Sequence, residues 1–461
     1  MTLADPVRQH AETRPDAPAL LTPSVTWTWV DLNRRVDAAS RALAGRDVVA
    51  VRAETSPDFV VLVLAALRIG AVLAPLSTRW PAPAVAEALA RLRLDTVCSE
   101  ADVAGVASAP LGDLLAADAR GDGPTVDIPL DRPFTVVHTS GSTGAPKAVL
   151  HSVGNHVWSA RGVIKRLGVD AKSRWLLDLP LYHVGGLGVV IRCALVGAAL
   201  VLPDGASTAD AVATLRPTHA SLVATQLDRL LDADADLSSL RAVLLGGSAI
   251  PASLLDRAVA AGVPVATSYG MTEATATISA TAPGADREAL GTSGPPLAHR
   301  RVRIASGGEI EVAGLTVAGT WGPGGPEPPP KWLATGDLGH VDAAGRLVVT
   351  GRADLQFVSG GENVRPERIE AALAALPEVA EAVVVAVPDR SFGARPVAFV
   401  RTADGAVPDG RALAAALRER LAGFEVPVAF YDWDGAEGLK PDRPALTREA
   451  ERRAAESRSE G

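Results

Sequence analysis

The sequence has little cysteine, little lysine and no long hydrophobic stretch that is free of charge. Its only cysteines, Cys98 and Cys193, are too few for a disulfide framework, and their separation matches no metal-binding spacing. Two isolated thiols are typical of a reducing compartment, so we expect a cytoplasmic protein. The first residues lack a basic segment followed by an apolar one, and we therefore expect no secretion signal.

The two longest apolar stretches cover residues 59–76 and 184–203, and each contains one arginine, Arg68 or Arg192. A charge in the middle of a bilayer span is costly, and both stretches contain glycine and have proline at or near an end. We therefore predict that each stretch is a buried helix running into a strand, and that neither inserts into a membrane.

Positive charge is not in excess either. The chain carries 45 lysine and arginine residues against 53 aspartate and glutamate residues, a formal net charge of -8. A general nucleic-acid binder needs a basic surface for the phosphates, so we predict no nucleic-acid partner. Any anionic ligand must therefore be held by local features of the chain.

One of the few lysines ends a run rich in glycine and hydroxyl groups. Glycine lets backbone N–H groups turn toward an anion, the hydroxyls donate hydrogen bonds, and the lysine adds positive charge. The run lacks the spacing of a Walker A loop, and the β-branched and aromatic residues 134–138 predict a preceding strand. A flexible surface loop is the alternative explanation. The predicted phosphate-binding residues are Thr139, Ser140, Gly141, Ser142, Thr143, Gly144 and Lys147.

A chain of 461 residues is too long for one core and should form two or three domains. Helical stretches alternate with short β-branched ones in the first half, which predicts a largely parallel sheet covered by helices. Residues 282–330 suggest a smaller antiparallel subdomain, in which 322–330 contain too much glycine and proline for regular structure. Beyond a boundary near 351–354 we predict a small α+β domain, and the charged tail from Arg448 is expected to fray.

Five short segments further along the chain carry residues suited to nucleotide chemistry. An aromatic ring can stack on a purine, a hydroxyl can donate to a phosphate oxygen, and a carboxylate can hold Mg²⁺ or accept hydrogen bonds from ribose hydroxyls. Each segment alone also has an ordinary explanation, such as a core histidine, a glycine turn or a helix cap at Thr272. The residues of interest are His183, Gly246, Gly247, Ser248, Tyr269, Gly270, Thr272, Glu273, Asp337, Arg352, Asp354, Gly360 and Gly361.

Taken in order from Phe134 to about Leu446, these segments resemble the adenylate-forming superfamily, which comprises acyl-CoA synthetases, peptide-synthetase adenylation domains and luciferases. The resemblance implies an α/β fold. A large N-terminal domain, residues 1–352, would contain two related α/β subdomains plus a small β-barrel-like subdomain. It would be hinged to a small, mobile α+β C-terminal domain, residues 353–447, which is followed by the tail 448–461.

The resemblance also implies chemistry in two steps with ATP, Mg²⁺ and CoA. A carboxylate attacks the α-phosphate of ATP to give an acyl-adenylate and pyrophosphate, and the thiol of CoA then displaces AMP. The implied catalytic residues are Lys440, Lys147, His183 and Thr272, the metal ligand is Glu273, and the hinge is Asp354. The implied nucleotide-binding residues are 139–144, Gly246, Gly247, Ser248, Tyr269, Gly270, Asp337 and Arg352, and those of the pantetheine tunnel are Gly360 and Gly361.

The segment around Lys440 departs from the usual pattern of the superfamily. Leu439 stands directly before the lysine, where the superfamily commonly has glycine, and Pro441 and Pro444 follow it. Proline fixes φ and removes a hydrogen-bond donor, so we expect this loop to be held differently. A solvated surface lysine is the alternative explanation.

Within the superfamily, the details of 154–160, 180–186 and 268–273 are most similar to the 2-succinylbenzoate–CoA ligases of menaquinone (vitamin K2) biosynthesis. 2-Succinylbenzoate has a second carboxylate that does not react, and Arg192 is the candidate cation for that carboxylate. His183 is the other candidate residue at the acyl site. The alternatives are a ligase for another aryl or fatty acid and, from a different class, a non-catalytic nucleotide or carboxylate binder. An amino-acid-activating domain is disfavoured, because no aspartate follows His183 directly. The oligomeric state stays open, and a homo-oligomer is one option.

Overall fold

The computed structural model describes residues 1–100, 103–112, 127–139, 147–389, 391–434 and 441–459. The predicted site residues 140–144 and Lys440 lie outside this part of the chain. The chain forms two compact units. The first comprises Met1–Gly246, Ala258–Arg303 and Glu311–Leu333, and the second comprises Gly247–Arg257, Ile304–Ile310 and Ala334–Gly461. The predicted domain bounds at 352/353 and 447/448 stay a prediction.

The first unit contains two large mixed sheets. In spatial order, the first sheet consists of strands Gly325–Glu327, Gly319–Gly322, Lys147–Ser152, Pro133–Thr139, Val72–Pro75, Val48–Arg52, Thr96–Ser99 and Ala107–Ala109. The last five of these strands are parallel to one another, and the first four form three antiparallel pairs. The strand predicted before the phosphate-binding run is therefore confirmed, and the chain returns from that run as an antiparallel strand.

The second sheet consists of strands Ala276–Ala280, Val265–Met271, Ala242–Leu245, His219–Leu222, Arg174–Leu176, Ala199–Val201, Pro18–Leu21 and Thr26–Thr28. Its six inner strands are parallel, and its two edge strands are antiparallel to their neighbours. Parallel strands require crossover connections, which helices supply here, so the predicted helix-covered parallel sheet is confirmed. A further short antiparallel pair joins Thr2–Ala4 to Asp127–Pro129.

Helices surround both sheets of the first unit. The helix Val153–Leu167 begins at Ser152, whose hydroxyl accepts the N–H of Asn155, and ends at Gly168, where φ is 68°. Ala252–Ala260 crosses from the second unit into the first. The other helices of the first unit are Pro6–Thr13, Trp29–Ala42, Pro57–Ile69, Ala82–Leu92, Val184–Val196, Thr208–Leu215, Ala224–Asp232 and Arg287–Leu290, with a 3₁₀ turn at Thr272–Ala274.

The second unit has the α+β character that the sequence predicts. Strands Leu333–Val341 and Leu347–Arg352 pair antiparallel. A separate sheet consists of Glu362–Val364, Phe357–Ser359, Gly393–Thr402, Val379–Asp389 and Phe430–Asp432. The helices are Pro366–Ala374, Gly410–Arg418 and Arg443–Ser459. The chain passes between the two units within strands Arg300–Ile304 and Glu309–Gly314.

In the second apolar stretch Val196 ends a helix, because Gly197 adopts a left-handed conformation (φ 74°), and the strand that follows is confined to Ala199–Val201. The sequence predicts irregular structure over 322–330, and this prediction is wrong. Instead, Gly319–Gly322 and Gly325–Glu327 form a hairpin, which belongs to the first large sheet. Gly325, at φ 110°, lets the chain turn there.

The helix Arg443–Ser459 continues past Arg448 through the described residues, and the fraying of this tail stays a prediction. Arg452 pairs with Glu449 at 2.7 Å and with Glu456 at 2.5 Å. Pairs three and four residues apart lie on one helix face and stabilise it modestly.

The two apolar stretches form buried helices that run into strands, as predicted. Pro57–Ile69 leads into the strand Val72–Pro75, and Val184–Val196 leads into Ala199–Val201. Across the described ranges, no helix is both long and apolar enough to cross a membrane.

Arg68 is buried in a cluster of carboxylates at the end of the first apolar helix. Its guanidinium donates to Asp5 and, at 2.7 Å each, to Oδ1 of Asp37 and Oδ1 of Asn33. Arg8 donates to the same oxygen of Asp37 at 3.0 Å. A buried charge is tolerated only when it is paired and hydrogen-bonded, so this cluster fixes the packing of the first two helices against the third.

Replacing Arg68 by methionine should leave Asp5 and Asp37 buried with less compensation. We expect Arg68→Met to lower the free energy of unfolding by ~3–5 kcal/mol, measured by urea titration. The matched control is Arg34→Met, because Arg34 pairs with Asp31 on the surface and is 74% exposed. The control should cost less than about 1 kcal/mol. Equal losses in the two variants would contradict this reading of the cluster.

Candidate active site

The predicted phosphate-binding run connects two paired strands. Thr139 ends the strand Pro133–Thr139, Lys147 begins the strand Lys147–Ser152, and their Cα atoms are partners in the antiparallel register. Thr139 is half-buried and Lys147 is exposed. The two described ends of the run therefore lie side by side, with the ammonium group of Lys147 accessible to solvent and to an anionic ligand.

The predicted adenine residues lie at the carboxyl ends of neighbouring parallel strands in the second sheet. Leu245 and Thr267 are partners in the parallel register, so Gly246 and Tyr269 follow at the same edge. A Cβ at Gly246 would lie 2.4 Å from Oγ of Ser268, so a larger residue there would have to displace that hydroxyl. Ligands of open α/β sheets commonly bind at this edge.

Gly247 and Ser248 belong to the second unit. Gly247 adopts φ 87°, which favours glycine, and the hydroxyl of Ser248 donates to the carbonyl of Ala249 at 3.4 Å. The turn that the glycine pair predicts is therefore present, while its contact with a nucleotide stays a prediction.

Gly270 is required by the hairpin that carries Thr272 and Glu273. Strands Val265–Met271 and Ala276–Ala280 pair with an irregularity between Tyr269 and Gly270, and a Cβ at Gly270 would lie 1.8 Å from the carbonyl oxygen of Ala276. Thr272 and Glu273 lie in the 3₁₀ turn between these strands and are half-buried. The sequence offers a capping role for Thr272 as the alternative, but Met271 is the residue before this turn and no side chain caps it.

His183 lies directly before the helix Val184–Val196, and its imidazole is exposed. The rings of Tyr182 and His183 meet edge to face at 4.7 Å. The following glycines have a packing reason, because a Cβ at Gly186 would lie 2.4 Å from the carbonyl oxygen of Pro180. The loop before His183 thus packs directly onto the backbone of the helix, which fixes the position of the imidazole.

Arg192 lies on the same helix and is only 2% exposed. Its Nε and Nη1 atoms have no hydrogen-bond partner in the part of the chain that the structure describes. Its Cζ atom lies 5.0 Å from the ring centroid of Trp175, and a Cβ at Gly188 would lie 3.0 Å from its Nη2 atom. Burial lowers the pKa of Arg192 to about 10, so the guanidinium stays charged at neutral pH. The helix therefore carries a buried cation with unused donors.

Arg300 is a second buried cation, and it is not among the residues predicted from the sequence. It donates to the carbonyl of Ala298 at 2.8 Å and to the carbonyl and hydroxyl of Ser159 at 3.2 and 3.0 Å, all of them neutral groups. Burial, and to a smaller extent the charge of Arg192, lowers the pKa of Arg300 to about 9. In sequence it is one of several arginines of an ordinary basic strand, so no local signal marks it.

Three further polar residues were missed, and together they connect the two sheets. Thr135 is hydrogen-bonded to both His151 and His156, all three side chains are buried, and Nε2 of His151 lies 2.8 Å from the carbonyl oxygen of Thr272. His156 falls within a segment that carries the family resemblance, but its partner Thr135 lies 21 residues earlier in the sequence. Only the fold shows that these side chains meet.

In the second unit, two predicted carboxylates converge on the guanidinium of Arg352. Arg352 donates to Oδ1 of Asp337 at 3.0 Å and to both carboxylate oxygens of Asp354 at 2.7 and 2.8 Å. Its backbone N–H donates to Oε1 of Glu367 at 3.0 Å. These carboxylates raise the pKa of Arg352, with the hydrogen bonds to Asp354 as the largest cause. The predicted ribose-binding pair is thus in direct contact with the predicted hinge residue.

Gly360 and Gly361 form the turn between strands Phe357–Ser359 and Glu362–Val364. Both have positive φ, 60° and 89°, as a two-residue hairpin of the primed type requires. The N–H of Gly360 donates to the carbonyl of Phe392 at 2.9 Å. The tight turn is present, and its role beside pantetheine stays a prediction.

Arg443, three residues after Lys440, anchors the start of the last helix. Its guanidinium donates to Glu370 at 2.9 Å and to the carbonyl of Val384 at 2.7 Å, while Glu370 also accepts the N–H of Val384 at 2.7 Å. The segment that follows the predicted lysine loop is therefore fixed to a neighbouring helix and strand. The role of Lys440 itself stays a prediction.

The residues of the first unit are of the types that fit a magnesium–nucleotide complex. Mg²⁺ is usually held by one or two carboxylates together with substrate phosphates and waters, and Glu273 offers one carboxylate. Thr272 adds a hydroxyl and Lys147 an accessible ammonium. Among the described residues, no group of three or more His, Cys, Asp or Glu side chains is arranged to hold a metal ion.

The fold and these residues define a nucleotide-dependent enzyme class. The family model of the AMP-binding enzymes matches residues 7–320, and that of the AMP-binding enzyme C-terminal domain matches residues 368–434. The chain belongs to the AMP-binding enzyme family.

Two related enzymes and one solved structure are similar to this chain over nearly its whole length. The chain is 35% identical to the 2-succinylbenzoate–CoA ligase of Salmonella typhimurium, over 97% of this chain and 98% of the relative. It is 34% identical to a feruloyl-CoA synthase of Amycolatopsis, over 93% of this chain and 94% of the relative. A structure of o-succinylbenzoate coenzyme A synthetase from Bacillus subtilis in complex with ATP and magnesium ion has a TM-score of 0.88 at 29% identity. That match covers 97% of this chain and all of the other. The predicted α/β fold class is confirmed.

The loop before His183 can be tested with two neighbouring glycines. We expect Gly186→Ala to destabilise the protein by ~1–3 kcal/mol, because its Cβ would push the loop away from the helix. At Gly185 the nearest contact for a Cβ is the flexible side chain of Leu179 at 3.3 Å. Gly185→Ala should therefore be neutral or stabilising, as alanine is the better helix former. Urea unfolding measures both, and equal effects would contradict the packing argument.

Proposed function

We propose that this protein activates a carboxylic acid with ATP to form an acyl-adenylate and then transfers the acyl group to CoA. We further propose that the acid is 2-succinylbenzoate and the product 2-succinylbenzoyl-CoA, in menaquinone biosynthesis. Family membership supports the adenylate chemistry. The ligase and synthetase relatives support the acid.

The observation that best supports 2-succinylbenzoate as the substrate is the guanidinium of Arg192, which is buried and only partly paired. A buried positive charge with unused donors is unfavourable until an anion supplies acceptors. 2-Succinylbenzoate has two carboxylates, of which one reacts, so the other can accept from Nε and Nη1 of Arg192. The positive charge of Arg300 adds to the same field. A monocarboxylic acid offers no such partner.

The reaction needs positive charge where negative charge accumulates. In the first step a carboxylate oxygen bonds to the α-phosphorus and pyrophosphate leaves, so the attacking, central and leaving groups all carry negative charge. We assign the run 139–144 and Lys147 to the pyrophosphate side and Thr272 to the α-phosphate. Mg²⁺, held by Glu273, would neutralise phosphate charge, and Lys440 would supply a further cation.

The remaining assignments concern orientation and the second step. Gly246, Gly247, Ser248, Tyr269 and Gly270 would surround the adenine, and Asp337 with Arg352 would bind the ribose. In the second step the CoA thiolate attacks the acyl carbon and AMP leaves with the bonding electrons. Asp354 would be the hinge between the two steps, Gly360 and Gly361 would line the pantetheine path, and His183 would gate the acyl site.

The setting of the reaction is part of the proposal. Cys98 and Cys193 are buried and free, which supports a reducing compartment, and we propose that the enzyme acts in the cytoplasm. A homo-oligomer remains one option.

The direct test is pyrophosphate release from the purified protein with ATP and Mg²⁺, with and without CoA. The acids are 2-succinylbenzoate, ferulate, benzoate, 4-coumarate, octanoate and several amino acids. We expect turnover that depends on CoA and is selective for 2-succinylbenzoate. Turnover on ferulate alone would favour the second candidate, an aryl-CoA ligase, which the feruloyl-CoA synthase relative supports. ATP binding without exchange of pyrophosphate into ATP for any acid would identify a non-catalytic binder.

The role of Arg192 predicts a separation of kinetic constants. Arg192→Ala should raise KM for 2-succinylbenzoate about 10- to 100-fold, the loss of one charge-assisted contact, while KM for ATP stays unchanged. Arg192→Lys retains the charge but not the planar, two-pronged donor geometry of the guanidinium. Its KM for 2-succinylbenzoate should therefore lie between that of the unaltered protein and that of Arg192→Ala. Initial rates of pyrophosphate release give both constants. An unchanged KM for the acid in Arg192→Ala would remove this residue from the site.

A further inference from the structure

Strands Pro133–Thr139 and Lys147–Ser152 pair as a hairpin, here called the phosphate-binding hairpin after the run that the sequence predicts between them. A continuous series of buried, hydrogen-bonded polar side chains joins this hairpin to the turn that carries Thr272. Nε2 of His156 lies 2.8 Å from Oγ1 of Thr135, and Oγ1 of Thr135 lies 3.1 Å from Nδ1 of His151. Nε2 of His151 lies 2.8 Å from the carbonyl oxygen of Thr272. All three side chains are at most 2% exposed. The series therefore runs through the interior from one sheet to the other.

One arrangement of hydrogens satisfies every bond in this series. A backbone carbonyl only accepts, so Nε2 of His151 must carry the hydrogen that it donates to Thr272. Nδ1 of the neutral imidazole then accepts from the hydroxyl of Thr135, whose oxygen accepts from Nε2–H of His156. Burial lowers the pKa of His151 to about 4 and that of His156 well below its ordinary value, so both rings are neutral at physiological pH. The hydrogen bonds therefore all run in one direction, from His156 through Thr135 and His151 to the carbonyl of Thr272.

The turn that receives this hydrogen bond is strained. Thr275 and Ala276, which follow the 3₁₀ turn Thr272–Ala274, have φ of 55° and 69°. Left-handed conformations are unfavourable for residues with a Cβ, so they persist only where the surroundings impose them. Contacts from outside the turn must therefore hold it in this conformation.

Three carbonyl groups of the turn are held in this way. His151 donates to the carbonyl of Thr272, the N–H of Ala318 donates to that of Glu273 at 2.9 Å, and the hydroxyl of Ser159 donates to that of Thr275. The hydroxyl of Thr275 donates in turn to the carbonyl of Thr316 at 2.7 Å. Among these bonds, the one donated by His151 comes from a residue on the strand that begins at Lys147. It fixes the peptide group between Thr272 and Glu273 relative to that strand.

We propose that His151 is a positioning residue that couples the phosphate-binding hairpin to the Thr272–Glu273 turn during adenylate formation. Lys147 and His151 are four residues apart on one strand, roughly 13 Å along it. A strand so short and paired on both sides is stiff, so the bond from His151 sets where Thr272 and Glu273 lie relative to Lys147. The inference rests on the proposed function, because it assigns to these residues the phosphates and metal of ATP.

The test compares His151→Leu with His151→Gln in the two half-reactions. The leucine variant loses the donor to Thr272, and we expect kcat for acid-dependent pyrophosphate release to fall about 10- to 100-fold, as misplaced catalytic groups cost. KM for the acid and the rate of thioester formation from added acyl-adenylate should stay within about twofold. Glutamine can place an amide N–H where Nε2 lies, so His151→Gln should recover most of the lost kcat.

A second variant keeps the test informative if His151→Leu folds poorly. Thr135→Val is isosteric and removes the hydroxyl that orients His151, so it should lower kcat for the same half-reaction by a smaller factor. Because the two residues act as one unit, the double variant Thr135→Val/His151→Leu should be no slower than His151→Leu alone.

Three outcomes would overturn the inference. They are unchanged adenylation in His151→Leu, equal losses in His151→Leu and His151→Gln, and equal losses in both half-reactions. Failure of the proposed function looks different, because then the unaltered protein does not exchange pyrophosphate into ATP in the presence of any acid. An active unaltered protein with indifferent His151 variants removes this inference alone.

Discussion

The hydrogen bond between His151 and the carbonyl of Thr272 is the contact on which the geometry of the candidate site depends. One partner lies on a strand of the first sheet and the other in a turn of the second, 121 residues later in the chain. Sheets keep their own strands in register, but nothing in one sheet fixes the distance to the other. A buried hydrogen bond between them does, because breaking it leaves two polar groups without water.

The two buried arginines of the apolar helices differ in how their positive charges are compensated. Arg68 is surrounded by carboxylates and an amide, and its charge is compensated within the protein. Arg192 lies in an equally apolar helix against Trp175, and two of its donor atoms have no partner among the described residues. The first arrangement stabilises the fold. The second is unfavourable in the isolated protein, and an anionic substrate is the natural source of the missing acceptors.

The sequence predicted the elements of this fold better than the connections between them. The alternation of helices and strands, the strand before Thr139 and the glycine turn at Gly360 follow from local backbone preferences, and the structure has them. The hairpin at Gly319–Gly322 and Gly325–Glu327 escaped prediction, because strand pairing with Lys147–Ser152 outweighs the poor strand propensity of its glycines and prolines. Arg300 and Thr135 escaped for a related reason, since their partners are remote in sequence.

The sequence by itself determined the family, the chemical types of the site residues and the position of most helices and strands. These properties reside in short segments, where glycine, proline, hydroxyl and charged residues act through their own conformations and donors. Only the tertiary structure decided that Arg192 is buried with unused donors, that Arg352 contacts both Asp337 and Asp354, and that His151 holds the carbonyl of Thr272. Burial and pairing depend on which distant residues meet, and a linear pattern does not contain that information.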